Sequence, residues 1–227
     1  MNRNRSCPML SFAEEIYLLA LDDVSGKIVL PGGIPMLRRA LAGAALCELS
    51  FLGKIDNDQE FIYLVNTEKT GDEILDGIID VINLRQSKET ISFWIKNLLD
   101  EAKEIEKQVL RNLIRRGILK EIDERIMWVF PSRRYPVIDD QEIKDVERRL
   151  IQIVSTPNAI PDPRDAVLIS LVYACGIFRE IFSPRDYSRL ESRIKKLAAL
   201  DFIASETGRL IDEIAVVMVE TGRGLRQ

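Results

Sequence analysis

Two pairs of adjacent carboxylates, Glu14-Glu15 and Asp22-Asp23, are the side chains of this sequence best suited to acid–base chemistry. The chain contains no histidine, which excludes Ser-His-Asp and Cys-His nucleophilic sites, HExxH metal sites and an imidazole general base. Both carboxylate pairs also have a structural interpretation, because Ser11 and Glu14 form the S-x-x-E pattern of a helix capping box and the aspartates lie in a turn. We therefore expect no catalytic residue, no metal site and no cofactor. An enzyme that uses carboxylates remains the third alternative.

Charge and length point to an ordinary globular protein. The chain has 227 residues and a formal net charge of -4, from 32 basic and 36 acidic residues. This balance argues against a surface that wraps nucleic acid and leaves room for a local basic site. We expect one domain over residues 10–220, with flexible ends at 1–9 and 221–227.

Cysteine usage and hydropathy predict a cytoplasmic protein. The three cysteines are odd in number and widely spaced, which is typical of reduced thiols. The first ten residues, MNRNRSCPML, lack an apolar stretch of signal-peptide length. The longest apolar run, residues 166–178, is shorter than the roughly 20 residues that cross a bilayer. Any membrane contact is therefore expected to be peripheral.

The elements that must position any site are predicted to be mostly helices. Capping patterns begin helices at Ser11, at Thr70 with Glu73, at Asp139 with Glu142, at Asp162 and at Ser183. Glycines at 53 and 117 end two others and precede predicted hairpins. The expected fold class is mainly α: a single globular domain of packed helices with short peripheral β-hairpins. The predicted helical segments run from the cap at Ser11 to about 21, from about 35 to 52, from the cap at Thr70 to about 83, as one or two helices within 92–116, from the cap at Asp139 to about 154, as a very apolar helix from 163, from 184 to about 200, and as a last helix from about 211.

Two segments of the chain repeat the same order of predicted elements, and this repeat suggests an alternative function. The segments around Gly53 and Gly117 both follow the order helix, glycine, strand, turn, strand, which is the order of a winged helix. The helix before Gly117 ends with three arginines that would face nucleic acid in that interpretation: Arg111, Arg115 and Arg116. Acidic residues in the second turn would repel phosphate, so we do not expect a nucleic-acid partner.

The second predicted hairpin carries two further candidate features. Trp128 and Phe130 fall on one face of the segment Ile126-Met127-Trp128-Val129-Phe130, which predicts a half-buried strand. Arg133 and Arg134 follow in a proline-flanked corner. They are interpreted as a solvated turn or as secondary contacts to a phosphate or a partner.

Five segments in order resemble the Golgi phosphoprotein 3 family. They are LSFAEEIYLLALDDVSGKI from Leu10, LRRALAGAALCELSFLGKI from Leu37, VLRNLIRRGILKE from Val109, FPSRRYPVIDD followed by ERRLIQIV, and DAVLISLVYACGIFREIF from Asp165. The resemblance covers nearly the whole chain. It implies a mainly helical domain with hairpins and, in eukaryotes, docking on Golgi membranes by binding phosphatidylinositol 4-phosphate.

The family resemblance also implies a head-group site, which this chain matches only in part. The family's arginine and tryptophan positions fall on Ala42 and near Gly33, so both residues are missing here. Substitutes in the neighbourhood are arginines on the second helix and on the helix that contains ERRLIQIV, and their alternative role is ion pairing with acidic residues on neighbouring helices. The candidate ligands of an anionic lipid head group or phosphate are Arg38, Arg39, Arg148 and Arg149.

The resemblance adds two expectations about surfaces. The loop containing Ile160 corresponds to one that presents apolar side chains to the membrane, and the hairpin with Trp128 and Phe130 corresponds to one that packs between subunits in oligomers. The resulting hypothesis is a peripheral phosphoinositide-binding or phosphate-binding module. An adaptor at membrane surfaces is its candidate role, and a homo-oligomer is its candidate assembly.

Overall fold

Helices make up most of the described chain, which in this computed structural model comprises residues 9–22, 25–30, 32–58, 61–85, 87–120, 137–138 and 140–200. The predicted fold class is confirmed: packed α-helices with a small antiparallel sheet. In chain order the elements are α1 (Phe12–Leu19), α2 (Gly33–Phe51), β1 (Ile55–Asn57), β2 (Phe61–Leu64), α3 (Glu73–Leu84), β3 (Glu89–Thr90), α4 (Ile91–Asn97), α5 (Ala102–Arg115), α6 (Gln141–Ser155), α7 (Pro163–Ala174), α8 (Phe178–Ile181) and α9 (Pro184–Ala198).

Helix α2 lies at the centre of the core and packs against α1, α4, α5 and α7. The spacing of Ala42, Ala45, Leu46 and Leu49 places them on one face of α2, and all four are buried. Small residues allow neighbouring helices to approach α2 closely, and a helix that is apolar around most of its circumference has to be covered on most sides. The position of α2 thus follows from its composition.

The first helix begins as predicted. The Ser11 hydroxyl accepts the Glu14 backbone N–H at 3.2 Å, and the Glu14 carboxylate accepts the Ser11 backbone N–H at 2.9 Å. Ser11 and Glu14 therefore form the expected capping box. All eight residues of α1 are buried, including both glutamates.

The first hairpin is confirmed and is part of a three-stranded sheet. Strand β1 pairs antiparallel with β2, with Ile55 opposite Leu64. The short strand β3 adds to the other side of β2, with Phe61 opposite Thr90. The sequence showed no signal for this third strand, because two residues are too few for a periodic pattern. Before α2, Leu21 and Ile28 form an isolated antiparallel bridge.

One predicted helix start is wrong in detail. Helix α3 is capped by Asp72, whose carboxylate accepts the backbone N–H groups of Ile74 and Leu75 at 2.9 and 3.0 Å. Thr70 instead donates its hydroxyl to Asp76 at 2.8 Å, because it lies too far before the first helical turn to cap it. Helix α6 starts at Gln141 without a side-chain cap bond, and Glu142 lies in its first turn.

The last helices are capped as predicted. Asp162 accepts the backbone N–H of Asp165 at 2.8 Å at the start of α7, and Ser183 accepts that of Asp186 at 3.2 Å at the start of α9. Each cap precedes a proline in the first turn, where a missing N–H costs nothing. Pro163 and Pro184 therefore set the start of two helices that pack against each other.

Several predicted features lie outside the described residues. They include the second hairpin with Trp128 and Phe130, the doublet Arg133-Arg134, the cap at Asp139, the final helix from about 211 and the two chain ends.

Candidate functional site

The two arginines on α2 contact different groups. Arg38 Nε lies 3.2 Å from Glu106 Oε2 on α5, with the Arg38 side chain 37% exposed. Arg39 donates from Nη1 to the Pro35 carbonyl at 3.4 Å, one turn earlier on the same helix. Arg38 therefore joins α2 to α5, which is the ion-pairing role named as the alternative.

The two arginines on α6 differ in accessibility. Arg148 is 67% exposed and pairs with Asp145 at 2.7 Å, one turn away on the same helix. Arg149 is held between two helices: its Nη2 lies 2.9 Å from Glu15 Oε1 on α1, and its Nε lies 2.7 Å from Asp165 Oδ1 on α7. The neighbouring carboxylates outweigh the effect of burial and raise the pKa of Arg149.

The two arginine pairs do not contact each other. Helix α1 packs against both α2 and α6, whereas α2 and α6 share no substantial interface in the described chain. Arg38 points to α5, and Arg149 points to α1 and α7. The structure thus brings Arg149 next to a residue that was not predicted, Arg164, and it does not bring Arg149 next to Arg38.

A buried ion-pair network on α1, α2 and α7 has Arg164 at its centre. Arg164 Nη2 donates to Glu15 Oε2 at 3.0 Å and to the Leu10 carbonyl, and its Nη1 lies 3.6 Å from Glu48 Oε1. The guanidinium carbon lies 4.1 Å from the centre of the Phe12 ring, a cation–π distance. Arg164 therefore fastens the start of α7 to α1, to α2 and to the segment before α1.

The carboxylates of the network have altered pKa values. Burial raises the pKa of Glu15, although Arg164 and Arg149 act in the opposite direction. Burial also raises the pKa of Glu48, against the backbone N–H of Phe12, which donates to Glu48 Oε2 at 2.7 Å. For both carboxylates, loss of hydration on burial therefore disfavours the charged form more than the neighbouring groups favour it.

Glu14, Glu15 and Asp22 each have structural partners, and Asp23 lies outside the described residues. Glu14 caps its own helix and lies 3.3 Å from Arg116 Nη2, and Glu15 is shared by two arginines. Asp22 accepts the Ser25 backbone N–H at 2.6 Å, which is the predicted turn. No group of three or more acidic, cysteine or histidine side chains suited to a metal ion occurs among the described residues.

The network could have been predicted from composition along two helices. In the apolar helix α1 the only charged residues are Glu14 and Glu15, and in α7 they are Arg164 and Asp165. Charged residues in helices that are otherwise buried have to meet a partner, since an unpaired buried charge is costly. The capping pattern at Asp162 predicts where α7 begins but carries no information about which helix Arg164 and Asp165 contact.

The arginines of the nucleic-acid alternative are engaged in local contacts. Arg111 donates to Gln108 and lies 3.3 Å from Glu104, and Arg115 donates to Asn112 at 3.1 Å. Arg116 contacts Glu14 and the Met9 carbonyl. The described part of this helix therefore shows no row of unengaged arginines.

The loop between α6 and α7 presents one apolar side chain. Ile160 is 92% exposed. Arg193 on α9 supports the loop from beneath, since it donates to the carbonyls of Ile153, Val154 and Ala159 at 3.1, 3.1 and 2.8 Å. Asn158 takes a positive φ of 64° at the turn. The backbone at Ile160 is thus held in place while its side chain stays uncovered by described residues.

Basic side chains of α9 lie along the helix that supports this loop. Arg189 and Lys196 lie four residues before and three after Arg193, so the three share one face of the helix. Arg189 is 72% exposed, and its partner Asp186 is on its own helix. Arg185 is also exposed, near the start of α9.

No helix in the described ranges is both long and apolar enough to span a bilayer.

Comparisons with known proteins agree on one family. The family model described as Golgi phosphoprotein 3 (GPP34) matches residues 12–214. A VPS74-like protein from Dictyostelium discoideum is 27% identical over 176 residues, which cover 71% of this chain and 66% of the relative. The match therefore spans just under two thirds of that relative's length.

Proposed function

Because this chain belongs to the Golgi phosphoprotein 3 family, we propose that it is a non-catalytic module that binds anionic phosphate head groups at a membrane surface. The observation that carries the proposal is Ile160, an isoleucine almost fully exposed on a loop whose backbone is held by Arg193. A side chain presented in this way is suited to enter the boundary between head groups and acyl chains.

The Ile160 side chain needs help from charge. Burying one isoleucine in lipid stabilises the bound state by about 1 to 2 kcal/mol, too little to hold a protein at a membrane. Arg189 and Lys196 on α9 lie on the helix that supports the loop. A basic residue near an anionic surface contributes about 1 kcal/mol, so a few of them together with Ile160 give reversible binding.

The proposed head-group contacts are the arginines of α2 and of α6, acting as two separate contacts because the two helices share no substantial interface in the described chain. Arg148 is the most accessible, because its exposed pair with Asp145 is of a kind that stabilises little and can be exchanged for a phosphate. Arg38 is partly exposed and Arg39 lies beside it. Arg149 is shared by Glu15 and Asp165, so a phosphate would have to compete with two carboxylates for it. Phosphatidylinositol 4-phosphate is the ligand that the family resemblance favours.

Sedimentation with liposomes tests the proposal. Phosphatidylcholine vesicles that contain phosphatidylinositol 4-phosphate, phosphatidylserine or no anionic lipid separate head-group recognition from general charge attraction. We expect anionic vesicles to bind the wild type and Ile160→Ser to lower the apparent affinity by about tenfold, the equivalent of one lost apolar anchor. A matched control is Val65→Ser, which removes an exposed apolar side chain directly after strand β2.

The arginine variants test the head-group site separately. We expect Arg148→Ala and Arg38→Ala/Arg39→Ala to weaken binding to phosphatidylinositol 4-phosphate, and Arg85→Ala, which removes another exposed ion pair, to leave it unchanged. Binding that is equal in all these proteins would exclude the arginines from the site. Equal sedimentation with neutral and anionic vesicles, or salt-dependent binding to duplex DNA without binding to any vesicle, would reject the proposed function.

A further inference from the structure

A groove between α3 and α5 is lined by none of the four candidate head-group arginines. Its volume is about 390 Å³. Its floor is apolar and is formed by Ile74 and Ile78 of α3, Ile105 of α5, and Leu98. Ile78, Leu98 and Ile105 belong to the core, so the groove opens directly onto the interior packing.

Two residues of α3 leave the groove uncovered. Val81 lines it and is 42% exposed, although it is apolar. Gly77, one turn earlier, has no side chain, and a Cβ at this position would meet no atom within 4 Å. A glycine in the middle of a helix costs about 1 kcal/mol relative to alanine, and here it leaves space for another backbone to approach.

The rim of the groove is acidic. Glu73, Glu101 and Glu104 line it together with a single base, Arg111. Glu104 is paired with Lys107 at 2.7 Å and with Arg111 at 3.3 Å. Glu73 and Glu101 are exposed and take part in no ion pair within the described chain. Two carboxylates thus remain available to an incoming cation.

We infer that this groove binds an amphipathic helix of a partner protein that carries Lys or Arg beside its apolar stripe. The lining residues of α3 run from Glu73 to Val81, about 12 Å at 1.5 Å per residue, which matches two turns of a helix with apolar residues at i, i+3, i+4 and i+7. The apolar floor accepts that stripe, Gly77 admits its backbone, and Glu73 and Glu101 attract its bases. Anionic lipid is disfavoured here, because the same carboxylates repel it.

Fluorescence anisotropy with synthetic peptides tests this inference on the full chain. The probe is a labelled peptide of about 18 residues, long enough for marginal helix formation, with leucine at helical spacing and lysine on the flanks. One control peptide has the same composition in an order without helical periodicity, and another replaces every lysine with glutamate. We expect only the basic amphipathic peptide to bind the wild type.

Variants of the protein locate the binding. Glu73→Lys/Glu101→Lys is expected to lower the affinity for the basic peptide by at least about tenfold, since two attractions become repulsions. Gly77→Trp fills the groove and is expected to abolish binding. Gly77→Ala, whose Cβ meets no neighbour within the folded chain, retains the fold and is expected to weaken binding, because its methyl group takes up space that the partner backbone would enter. Glu68→Lys/Glu180→Lys makes the same change of charge at exposed positions that do not line the groove and is expected to bind as the wild type does.

Three results would overturn the inference. They are the absence of binding to the wild type, equal binding of the helical and the non-periodic peptides, and equal binding by the wild type and the Glu73→Lys/Glu101→Lys protein. Loss of liposome binding in Gly77→Trp with peptide binding intact would assign the groove to the membrane surface instead. The proposed membrane function is tested separately, by liposome sedimentation of the wild type and Ile160→Ser.

Discussion

Individual arginines in this protein have different roles because their surroundings differ. Arg164 is nearly buried and contacts two carboxylates, a backbone carbonyl and an aromatic ring. Arg148 and Arg189 lie in solvent and pair with a carboxylate on their own helix. The same residue type therefore acts as a structural fastener in the core and as a candidate ligand contact at the surface. Burial and the number of partners separate the two roles.

The first prediction concerns Arg164. Arg164→Met should lower the free energy of unfolding by about 3 kcal/mol, because it leaves Glu48 buried without its cation and Glu15 with only one of its two arginines. Urea denaturation measures this, with Arg189→Met as the matched control, for which a change of less than about 1 kcal/mol is expected for an exposed pair. A similar change in both variants would mean that the buried network contributes no more than a surface ion pair.

At the scale of elements, short local patterns decide where helices begin. Asp162 caps α7, Pro163 occupies its first position, and the next residues, Arg164 and Asp165, enter the ion-pair network. By setting where α7 begins, the cap also sets the positions of Arg164 and Asp165 in the ion-pair network. The loop with Ile160 ends at this cap, so the start of α7 and the candidate membrane contact are joined.

The second prediction tests this cap. Asp162→Ala should lower the free energy of unfolding by about 1 kcal/mol, since the Asp165 backbone N–H loses its acceptor. Asp145→Ala, which removes an exposed carboxylate within α6, serves as the control and should change stability by less than half of that. Denaturation curves of both proteins provide the comparison, and equal midpoints would show that the cap is dispensable.

The third prediction concerns the helix that forms one wall of the groove. Gly77→Ala should raise the free energy of unfolding by about 1 kcal/mol, because alanine is the better helix former and its Cβ meets no neighbour. Thermal denaturation followed by circular dichroism measures the change. A lower melting temperature would mean that the space beside Gly77 is closed in the folded protein.

The whole molecule is held by one core that encloses several charges. Helix α1 lies between α2 and α6 and is buried along its full length, so its two glutamates can be neutralised only by neighbouring helices. Burial raises the pKa of Glu15 and of Glu48 above their ordinary value of 4.5. These groups therefore bind protons more readily in the folded protein than in the unfolded chain.

The fourth prediction follows from that difference. Between neutral pH and about 4.5, stability should increase as the pH falls, because the folded state takes up protons on Glu15 and Glu48 before the unfolded chain does. The stabilisation from Glu15 and Glu48 is fully present below their pKa in the unfolded chain. It is lost as the pH rises through their pKa in the folded protein. Carboxylates whose pKa is lowered by side-chain hydrogen bonds, Glu104 from Lys107 and Asp145 from Gln141, oppose it only at lower pH.

Urea denaturation at several pH values checks this prediction. The variant Glu48→Gln keeps an oxygen for the Phe12 backbone N–H and loses the titrating proton, so its stability should vary less with pH over the same interval. A wild-type protein whose stability falls steadily from pH 7 to 5 would contradict the prediction.

The sequence by itself determined the family, the mainly α fold and most helix starts. A cap such as Ser11 with Glu14, or Asp162 with its proline, involves residues within one turn of each other, so the pattern and the contact coincide. The central position of α2 followed in the same way from a helix with few polar residues. Even here Asp72 rather than Thr70 caps α3, because Thr70 lies too far before the first helical turn.

Only the tertiary structure decided which arginine meets which acid and where the surface is left open. Arg164 and Glu15 are 149 residues apart in the chain, and Arg38 and Glu106 are 68 apart. Such contacts depend on how helices pack, which a local pattern does not encode, and four arginines of similar sequence context were therefore assigned to one site before packing separated them. The groove beside Gly77 has the same origin, since it exists only between two helices that come together in the fold.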